Sequence, residues 1–165
     1  MLRVGMGNRK RQDGFTIIEL LTVIAVIGAL LGVATTIILS YRYSGRDAER
    51  ESDVESIARS FEISYLRDAT ANGPSYPTTQ KATTTSGYGS LFKGQRLDAT
   101  KAPDTTVATS IVAATSATQP QSPTKDQYIY LPLTANGTLC NSTSLCVRFF
   151  IFYRREGDNT VHAVE

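Results

Sequence analysis

The fold is decided by the stretch Phe15 to Leu39, FTIIELLTVIAVIGALLGVATTIIL, which contains a single charged residue and no proline. A membrane-spanning helix needs about 20 predominantly apolar residues, so this stretch is long enough to cross a bilayer. A buried core helix of a soluble protein would show a polar face, and none is visible here. The sequence therefore predicts a membrane-inserted helix over residues 15–39.

The segment that precedes this helix is basic. Residues 1–14 carry four cations against Asp13 alone, a net charge of +3, and these are Arg3, Arg9, Lys10 and Arg11. The whole chain has 17 basic and 15 acidic residues, so residues 15–165 carry 13 against 14, a net charge of −1. Because basic flanks stay on the cytoplasmic side of a membrane, we expect the chain after residue 40 to lie outside.

The single charge in the apolar run is Glu19, five residues into it. Burying an unpaired carboxylate in lipid costs several kcal/mol, so such a charge usually marks a functional contact. The run contains no Lys or Arg, and we therefore expect a cation of another chain as the partner. The alternative is that Glu19 reaches the cytoplasmic interface, which lies about 6 Å away along a helix.

The position of Gly14 is unusual for a secretory signal. The small residue precedes the apolar run, and no A-x-A-like cleavage site follows Leu39. Residues 10–21, KRQDGFTIIELL, resemble the class III signal of type IV pilins and of the related type II secretion pseudopilins. The resemblance implies that a prepilin peptidase cuts between Gly14 and Phe15 and methylates the new amine of Phe15. It also implies that Glu19 pairs with the N-terminal amine of a neighbouring subunit and sets its register.

A weaker resemblance to bacterial pilins extends to residue 77. Many of these proteins carry a proline inside the apolar helix, whereas this chain has Gly28 and Gly32. Local melting of the helix or a close helix–helix approach at this G-x-x-x-G spacing would explain the glycines, and so would simple tolerance in a lipid-facing helix.

Residues 40–72 predict an amphipathic continuation of the helix. Apolar residues recur at spacings of three and four, and they are Val54, Ile57, Ala58, Phe61, Tyr65 and Ala69. Asn72-Gly73-Pro74 is a typical helix end. Charged residues lie mostly off this stripe, and they include Arg46, Glu49, Arg50, Asp53 and Glu62. These charges predict a solvated face of the helix, or alternatively salt bridges between subunits.

The rest of the chain divides into a middle region, residues 73–126, and a C-terminal region, residues 127–165. The middle region is rich in Thr, Ser and Ala and predicts loops that bury little, with a short helix over residues 102–117. The C-terminal region predicts strands over 127–133, 145–153 and 160–164, separated by turns at 135–138 and 156–159. We therefore predict an α+β fold in which the long helix packs against a small antiparallel sheet of three strands, or of four.

Cys140 and Cys146 fall between the first two predicted strands. In a domain outside the membrane a disulfide is expected, and so short a loop contributes about 2 kcal/mol. The alternative is two free thiols. Two N-x-[ST] patterns, at residues 136–138 and 141–143, are interpreted as chance matches, and His162 as an edge-strand side chain.

Catalytic and ligand-binding motifs are absent from the sequence. It has no Gly-rich phosphate loop, G-x-S-x-G, H-E-x-x-H or EF-hand spacing. Residues 156–159 offer oxygen ligands for Ca²⁺, but a plain turn is favoured. We predict a protein without catalytic residues, cofactor or metal.

These observations predict a structural subunit of a type IV pilus-like filament that serves motility, adhesion or DNA uptake. The alternatives are a pseudopilin of a type II secretion system and an uncleaved, membrane-anchored extracytoplasmic binding protein. The expected partners are a prepilin peptidase, other copies and related pilins, membrane lipid before assembly, and the pilus assembly platform. DNA is a weak candidate partner because four cations of the middle region, Lys81, Lys93, Arg96 and Lys101, are offset by Asp98 and Asp104. The subunit is expected as a single-pass protein of the cytoplasmic membrane, N-terminus inside, and then in a surface filament.

Overall fold

The computed structural model describes residues 14–67, 73–94, 97–140 and 144–165. The predicted leader up to residue 13, the predicted helix end at Asn72, Arg96 and the N-x-[ST] pattern at 141–143 lie outside the described residues. The chain divides into two compact units, Met1–Leu39 and Ser40–Glu165.

One long helix dominates the N-terminal half of the chain. Helix α1 comprises Ile17–Arg67, 51 residues, and it is continuous through Gly28 and Gly32. Both halves of the predicted helix are therefore helical, in agreement with the absence of proline from this range.

A four-stranded sheet forms the C-terminal part, with strands in the order β1-β2-β3-β4. The strands are β1 Ile111–Ala113, β2 Tyr128–Leu133, β3 Arg148–Arg154 and β4 Val161–Val164. Strands β2, β3 and β4 form an antiparallel meander, with Ile129 opposite Phe152 and Tyr153 opposite His162. The α+β fold and the antiparallel meander of three strands are confirmed, but a fourth strand, β1, pairs parallel to β2, so the sheet as a whole is mixed. The residues between β1 and β2 form a connection long enough to bring the chain back in the same direction.

The middle region contains more structure than its composition suggests. It forms helix α2 Thr79–Thr83, helix α3 Thr85–Leu91, a 3-10 helix Leu97–Thr100 and strand β1. The helix predicted over residues 102–117 is absent from this described segment. The amide of Ala102 donates instead to the Ser110 hydroxyl at 2.8 Å, and the amide of Ser110 donates to the Thr100 carbonyl at 2.6 Å. Such local bonds compete with helix formation.

The main core lies between the second half of α1 and one face of the sheet. Phe61 is fully buried, with its ring centroid 4.7 Å from that of Tyr130 and 5.7 Å from that of Phe149. The other buried members from α1 are Val54, Ile57 and Ala58 of the predicted stripe, whereas Tyr65 is half-buried and Ala69 lies outside the described residues. The middle region also contributes buried side chains, namely Ala82, Leu91, Phe92 and Ala102, so the expectation that it buries little is wrong.

The opposite face of the sheet is buried as well. A second cluster there contains Ala114, Leu131, Leu133 and Phe152. Because both faces of β2 and β3 are covered, these strands are apolar at consecutive positions and do not alternate with polar residues.

Candidate functional site at the N-terminus of the helix

The predicted cleavage position precedes the helix directly. Gly14, Phe15 and Thr16 are exposed and non-helical, and α1 begins at Ile17. The side chain of Phe15 is 86% exposed. The bond between Gly14 and Phe15 therefore lies outside the helical hydrogen-bond ladder and is open to approach.

Thr16 and Glu19 cap this helix reciprocally. The Thr16 amide and hydroxyl donate to Glu19 Oε2 at 3.0 and 2.9 Å, and the Glu19 amide donates to Thr16 Oγ1 at 3.2 Å. This is a capping box, in which two otherwise unpaired backbone donors of a helix start are satisfied. Sequence analysis missed it, although a T-x-x-E spacing before an apolar run is its signal.

The capping box changes the interpretation of the Glu19 charge. Its carboxylate has hydrogen-bond donors within its own chain, and among the described residues these donors use Oε2. The second carboxylate oxygen retains its acceptor capacity. A cation of another chain is therefore not needed to hold this side chain in place, and pairing with a neighbouring amine remains a proposal.

The surface of the helix after Glu19 is apolar on all sides. Every Phe, Ile, Leu and Val between residues 15 and 39 is between 49% and 86% exposed. Helix α1 is long and apolar enough to cross a membrane, and its apolar window is not buried within the protein. A Cβ atom added to Gly28 or Gly32 would meet no described atom within 4 Å, so packing among the described residues gives no reason for either glycine.

A cluster of charges joins the second half of α1 to the turn after β3. Arg46 donates to both carboxylate oxygens of Glu156, at 2.7 and 2.8 Å, and Arg50 donates to the same carboxylate at 3.3 Å. The side chain of Arg50 is only 2% exposed and also donates to Asp47 at 2.9 Å. The hydrogen bonds from Arg46 lower the pKa of Glu156 below its ordinary value.

This charge cluster corrects the predicted solvated face for Arg46, Arg50 and Asp53, whereas Glu49 and Glu62 are exposed as predicted. Arg50 and Asp53 are buried, and Arg46 and Arg50 bridge to Glu156 of the same chain. Asp53 accepts from the buried Tyr128 hydroxyl at 3.2 Å, and burial, followed by the Asp53 charge, raises the pKa of Tyr128. Arg46 and Arg50, four residues apart in α1, are thus compensated by Glu156 in the turn after β3, and Arg50 also by Asp47.

The turn at residues 156–159 is held by Asp47 of α1. Its carboxylate accepts from the amides of Glu156 at 2.7 Å and Gly157 at 2.9 Å. A Cβ atom at Gly157 would lie 3.2 Å from Asp47 Oδ2, which explains a glycine at this position. The Asp47 oxygens are thus engaged with the backbone, and no metal-binding group of three or more acidic, His or Cys residues occurs in the described part of the chain.

Cys140 and Cys146 form a disulfide bond and are both fully buried. The amide of Cys146 donates to the Ser75 hydroxyl at 2.9 Å, and its carbonyl accepts from the Tyr76 amide at 2.9 Å. The disulfide closes the loop between β2 and β3 on itself, and these two hydrogen bonds of Cys146 fasten the loop to the segment that follows α1.

His162 and the cations considered for DNA binding were also singled out in the sequence, and neither forms a site in the described residues. His162 lies in the edge strand β4, stacks on Tyr153 at 5.5 Å and shares a 2.8 Å hydrogen bond with the Thr160 hydroxyl. Of the cations proposed for DNA, Lys81 lies in α2 and Lys93 and Lys101 are exposed. These positions add no argument for DNA binding.

Comparison with known proteins bears on the N-terminal segment. A protein-family model, the prokaryotic N-terminal methylation motif, matches residues 9–35. The matched range includes Gly14, Phe15 and Glu19, and it is consistent with the type IV pilin and pseudopilin resemblance. Comparisons with curated proteins and with solved structures give no significant match.

Proposed function

We propose that this chain, which carries the prokaryotic N-terminal methylation motif, is a structural subunit of a type IV pilus-like filament. A prepilin peptidase removes residues 1–14 and methylates the amine of Phe15. The mature subunit then assembles through α1. The observation that carries this proposal is the methylation motif on a helix whose apolar surface is exposed throughout residues 15–39.

The exposed apolar surface supports a role in assembly. Burying one Leu, Ile, Val or Phe side chain contributes about 1.5–3 kcal/mol, and fifteen such side chains are exposed between residues 15 and 39. Lipid covers this surface before assembly, and the equivalent helices of other subunits cover it in the filament. The subunit resides first in the cytoplasmic membrane, N-terminus inside, and later at the cell surface.

Glu19 is proposed to set the register between subunits. Thr16 uses one of its carboxylate oxygens and leaves the other with acceptor capacity. The N-terminal amine created by cleavage is positively charged and donates hydrogen bonds, and this carboxylate oxygen can accept one of them. Because this contact joins the amine of one subunit to the carboxylate of the next, it is heterologous, and a heterologous contact that does not close into a ring builds an open fibre.

A structural role, rather than catalysis, agrees with the methylation motif. The first alternative is a pseudopilin of a type II secretion system, because pseudopilins share this motif. The second is a membrane-anchored binding protein that keeps its N-terminal segment. A role in DNA uptake rests only on the scattered cations of the middle region.

Coexpression with a prepilin peptidase tests the processing step. We expect N-terminal sequencing and mass spectrometry to find a chain that starts at a methylated Phe15. The matched control is Gly14→Leu, which replaces the small residue before the cleaved bond and is expected to stay uncleaved. A wild-type chain that still begins at Met1 contradicts the proposal and favours the uncleaved anchor.

Assembly is tested by shearing surface fibres from cells and probing them for this chain. We expect wild type in the fibres, and Glu19→Ala in the membrane fraction, cleaved but not assembled. Glu49→Gln, which removes an exposed acid outside the apolar run, is the control and is expected to assemble. Normal assembly of Glu19→Ala contradicts the register mechanism. Fibres that form only inside the cell envelope, together with a secretion defect in the deletion strain, identify the pseudopilin alternative.

A further inference from the structure

We propose that Tyr41 and Arg42 bind phospholipid headgroups at the outer boundary of the membrane and thereby set the depth of α1 in the unassembled subunit. This inference rests on the proposed membrane residence before assembly.

The uncharged part of the run has the length of the hydrocarbon layer. Residues 20–39 contain no charged side chain, and Glu19 precedes them directly. An α-helix rises ~1.5 Å per residue, so these twenty residues span ~30 Å, which is also the thickness of the hydrocarbon core. The match leaves little freedom for the helix to slide along the membrane normal.

Sliding in either direction is opposed by a charge. Movement toward the outside draws Glu19 into hydrocarbon, whereas movement toward the cytoplasm draws Arg42 into it. At the intermediate depth, Glu19 lies at the inner boundary. The hydrogen bonds that Thr16 donates to Glu19 Oε2 lie within the chain and therefore persist at this depth.

Tyr41 and Arg42 are available for contact with lipid. Tyr41 is 75% exposed, and Arg42 is exposed as well. Tyr43 differs, because its ring lies 5.2 Å from the Arg46 guanidinium, which is itself bound to Glu156. Tyr43 and Arg46 therefore take part in contacts within residues 40–165. The side chains of Tyr41 and Arg42 are exposed and can contact lipid.

The chemistry of this pair suits the headgroup layer. A tyrosine ring places its apolar body against acyl chains and its hydroxyl in water, and tyrosines are enriched at both membrane interfaces. A guanidinium forms paired hydrogen bonds with phosphate oxygens and stays charged. Headgroup phosphate is therefore the ligand that we assign to Arg42.

The chain contains no tryptophan, so one introduced tryptophan reports on one position. The full precursor is reconstituted in vesicles of phosphatidylcholine and phosphatidylglycerol that contain lipids brominated at a shallow or at a deep acyl position. Three variants are compared: Tyr41→Trp at the proposed boundary, Val26→Trp in the middle of the apolar run, and Ser52→Trp roughly 16 Å beyond Tyr41 along α1.

We expect the shallow bromine to quench Tyr41→Trp about twofold more strongly than the deep bromine, because interfacial aromatic rings lie at the headgroup level. Val26→Trp is expected to show the opposite order, and Ser52→Trp to remain unquenched. If Tyr41→Trp is as unquenched as Ser52→Trp while Val26→Trp is quenched by the deep bromine, this inference is overturned and membrane residence stands. If Val26→Trp is unquenched, membrane residence itself falls, and the inference falls with it.

Depth setting is tested in the Val26→Trp background. Combining it with Tyr41→Ser and Arg42→Ser is expected to shift the ratio of shallow to deep quenching, whereas Arg59→Ser, which removes an exposed cation of the same helix, is not. An unchanged ratio in the double variant overturns depth setting.

The occupant of this surface is tested by adding protein at constant lipid. Quenching of Tyr41→Trp that weakens under this condition identifies a second copy as the occupant and also overturns the inference.

Discussion

Glu156 holds two arginines of α1 at once, and the junction between helix and sheet depends on this residue. Its side chain is 13% exposed, and it accepts hydrogen bonds from Arg46 and from the buried Arg50. Removing one partner of a buried ion pair is costly because the other charge is left uncompensated. Asp47 partly neutralises Arg50, so the expected cost is moderate.

We predict that Glu156→Gln lowers the free energy of unfolding by about 1–2 kcal/mol, because two arginines lose a charged acceptor. Urea unfolding of the detergent-solubilised chain, followed by tyrosine circular dichroism, measures the change. Glu49→Gln is the matched control, since Glu49 is exposed, and is expected to change stability little. Equal stabilities of the two variants would show that the cluster contributes nothing.

The same carboxylate predicts a dependence on pH. The pKa of Glu156 in the folded chain is lowered, chiefly by the hydrogen bonds from Arg46. A group with a lowered folded-state pKa stabilises the fold fully above its unfolded-state pKa, and this stabilisation is lost as the pH falls through the folded value. We expect wild type to lose its advantage over Glu156→Gln at acidic pH. A stability difference that is constant down to the acid limit contradicts this assignment.

The second half of α1 is stabilised by an aromatic contact with the sheet. Phe61 has no exposed surface and touches the rings of Phe92, Tyr130 and Phe149, whereas Leu66 on the same helix is 79% exposed. We predict that Phe61→Ala costs about 3–5 kcal/mol because it leaves a cavity between helix and sheet. Leu66→Ala is the control and is expected to cost little. Thermal unfolding measures both, and similar melting temperatures would contradict the proposed core.

The disulfide acts on the loop between β2 and β3. Cys140 and Cys146 close a short loop that also binds Ser75 and Tyr76. We predict that reduction lowers the free energy of unfolding by about 2 kcal/mol, chiefly through the entropy of the unfolded chain. Unfolding with and without reductant measures the effect. The variant with both cysteines replaced by serine should not respond to reductant; if it responds as wild type does, the bond is not the cause.

For the whole molecule, processing changes the sign of the net charge. The precursor carries +2 and has a pI of about 8.6, and loss of residues 1–14 with their net +3 leaves −1. Methylation of an amine leaves its positive charge in place. We predict that isoelectric focusing moves the chain from the basic to the acidic side of neutrality when a prepilin peptidase is present. Gly14→Leu is expected to stay at the basic position, and an unchanged wild-type band contradicts cleavage after Gly14.

The long helix, its apolar stripe and the three C-terminal strands could be predicted because each produces a periodic pattern within a short stretch of sequence. Spacings of three and four predicted the burial of Val54, Ile57 and Phe61, which the structure confirms. The same spacings placed Arg50 on a solvated face, and this was wrong because its partner Glu156 lies 106 residues away. Strand β1 was missed because three residues among Thr, Ser and Ala carry too weak a pattern.

The sequence alone determined the methylation motif, the apolar helix and the unequal charge of the two ends, because these are properties of contiguous residues. Only the tertiary structure decided which charges are buried, that β1 pairs parallel to β2, and that the middle region enters the core. These features depend on contacts between distant segments, such as Arg46 with Glu156 across 110 residues. A local pattern indicates which residues favour burial. Burial of a charge also needs an oppositely charged partner, and a short strand needs a neighbouring strand, and the fold brings both from distant parts of the chain.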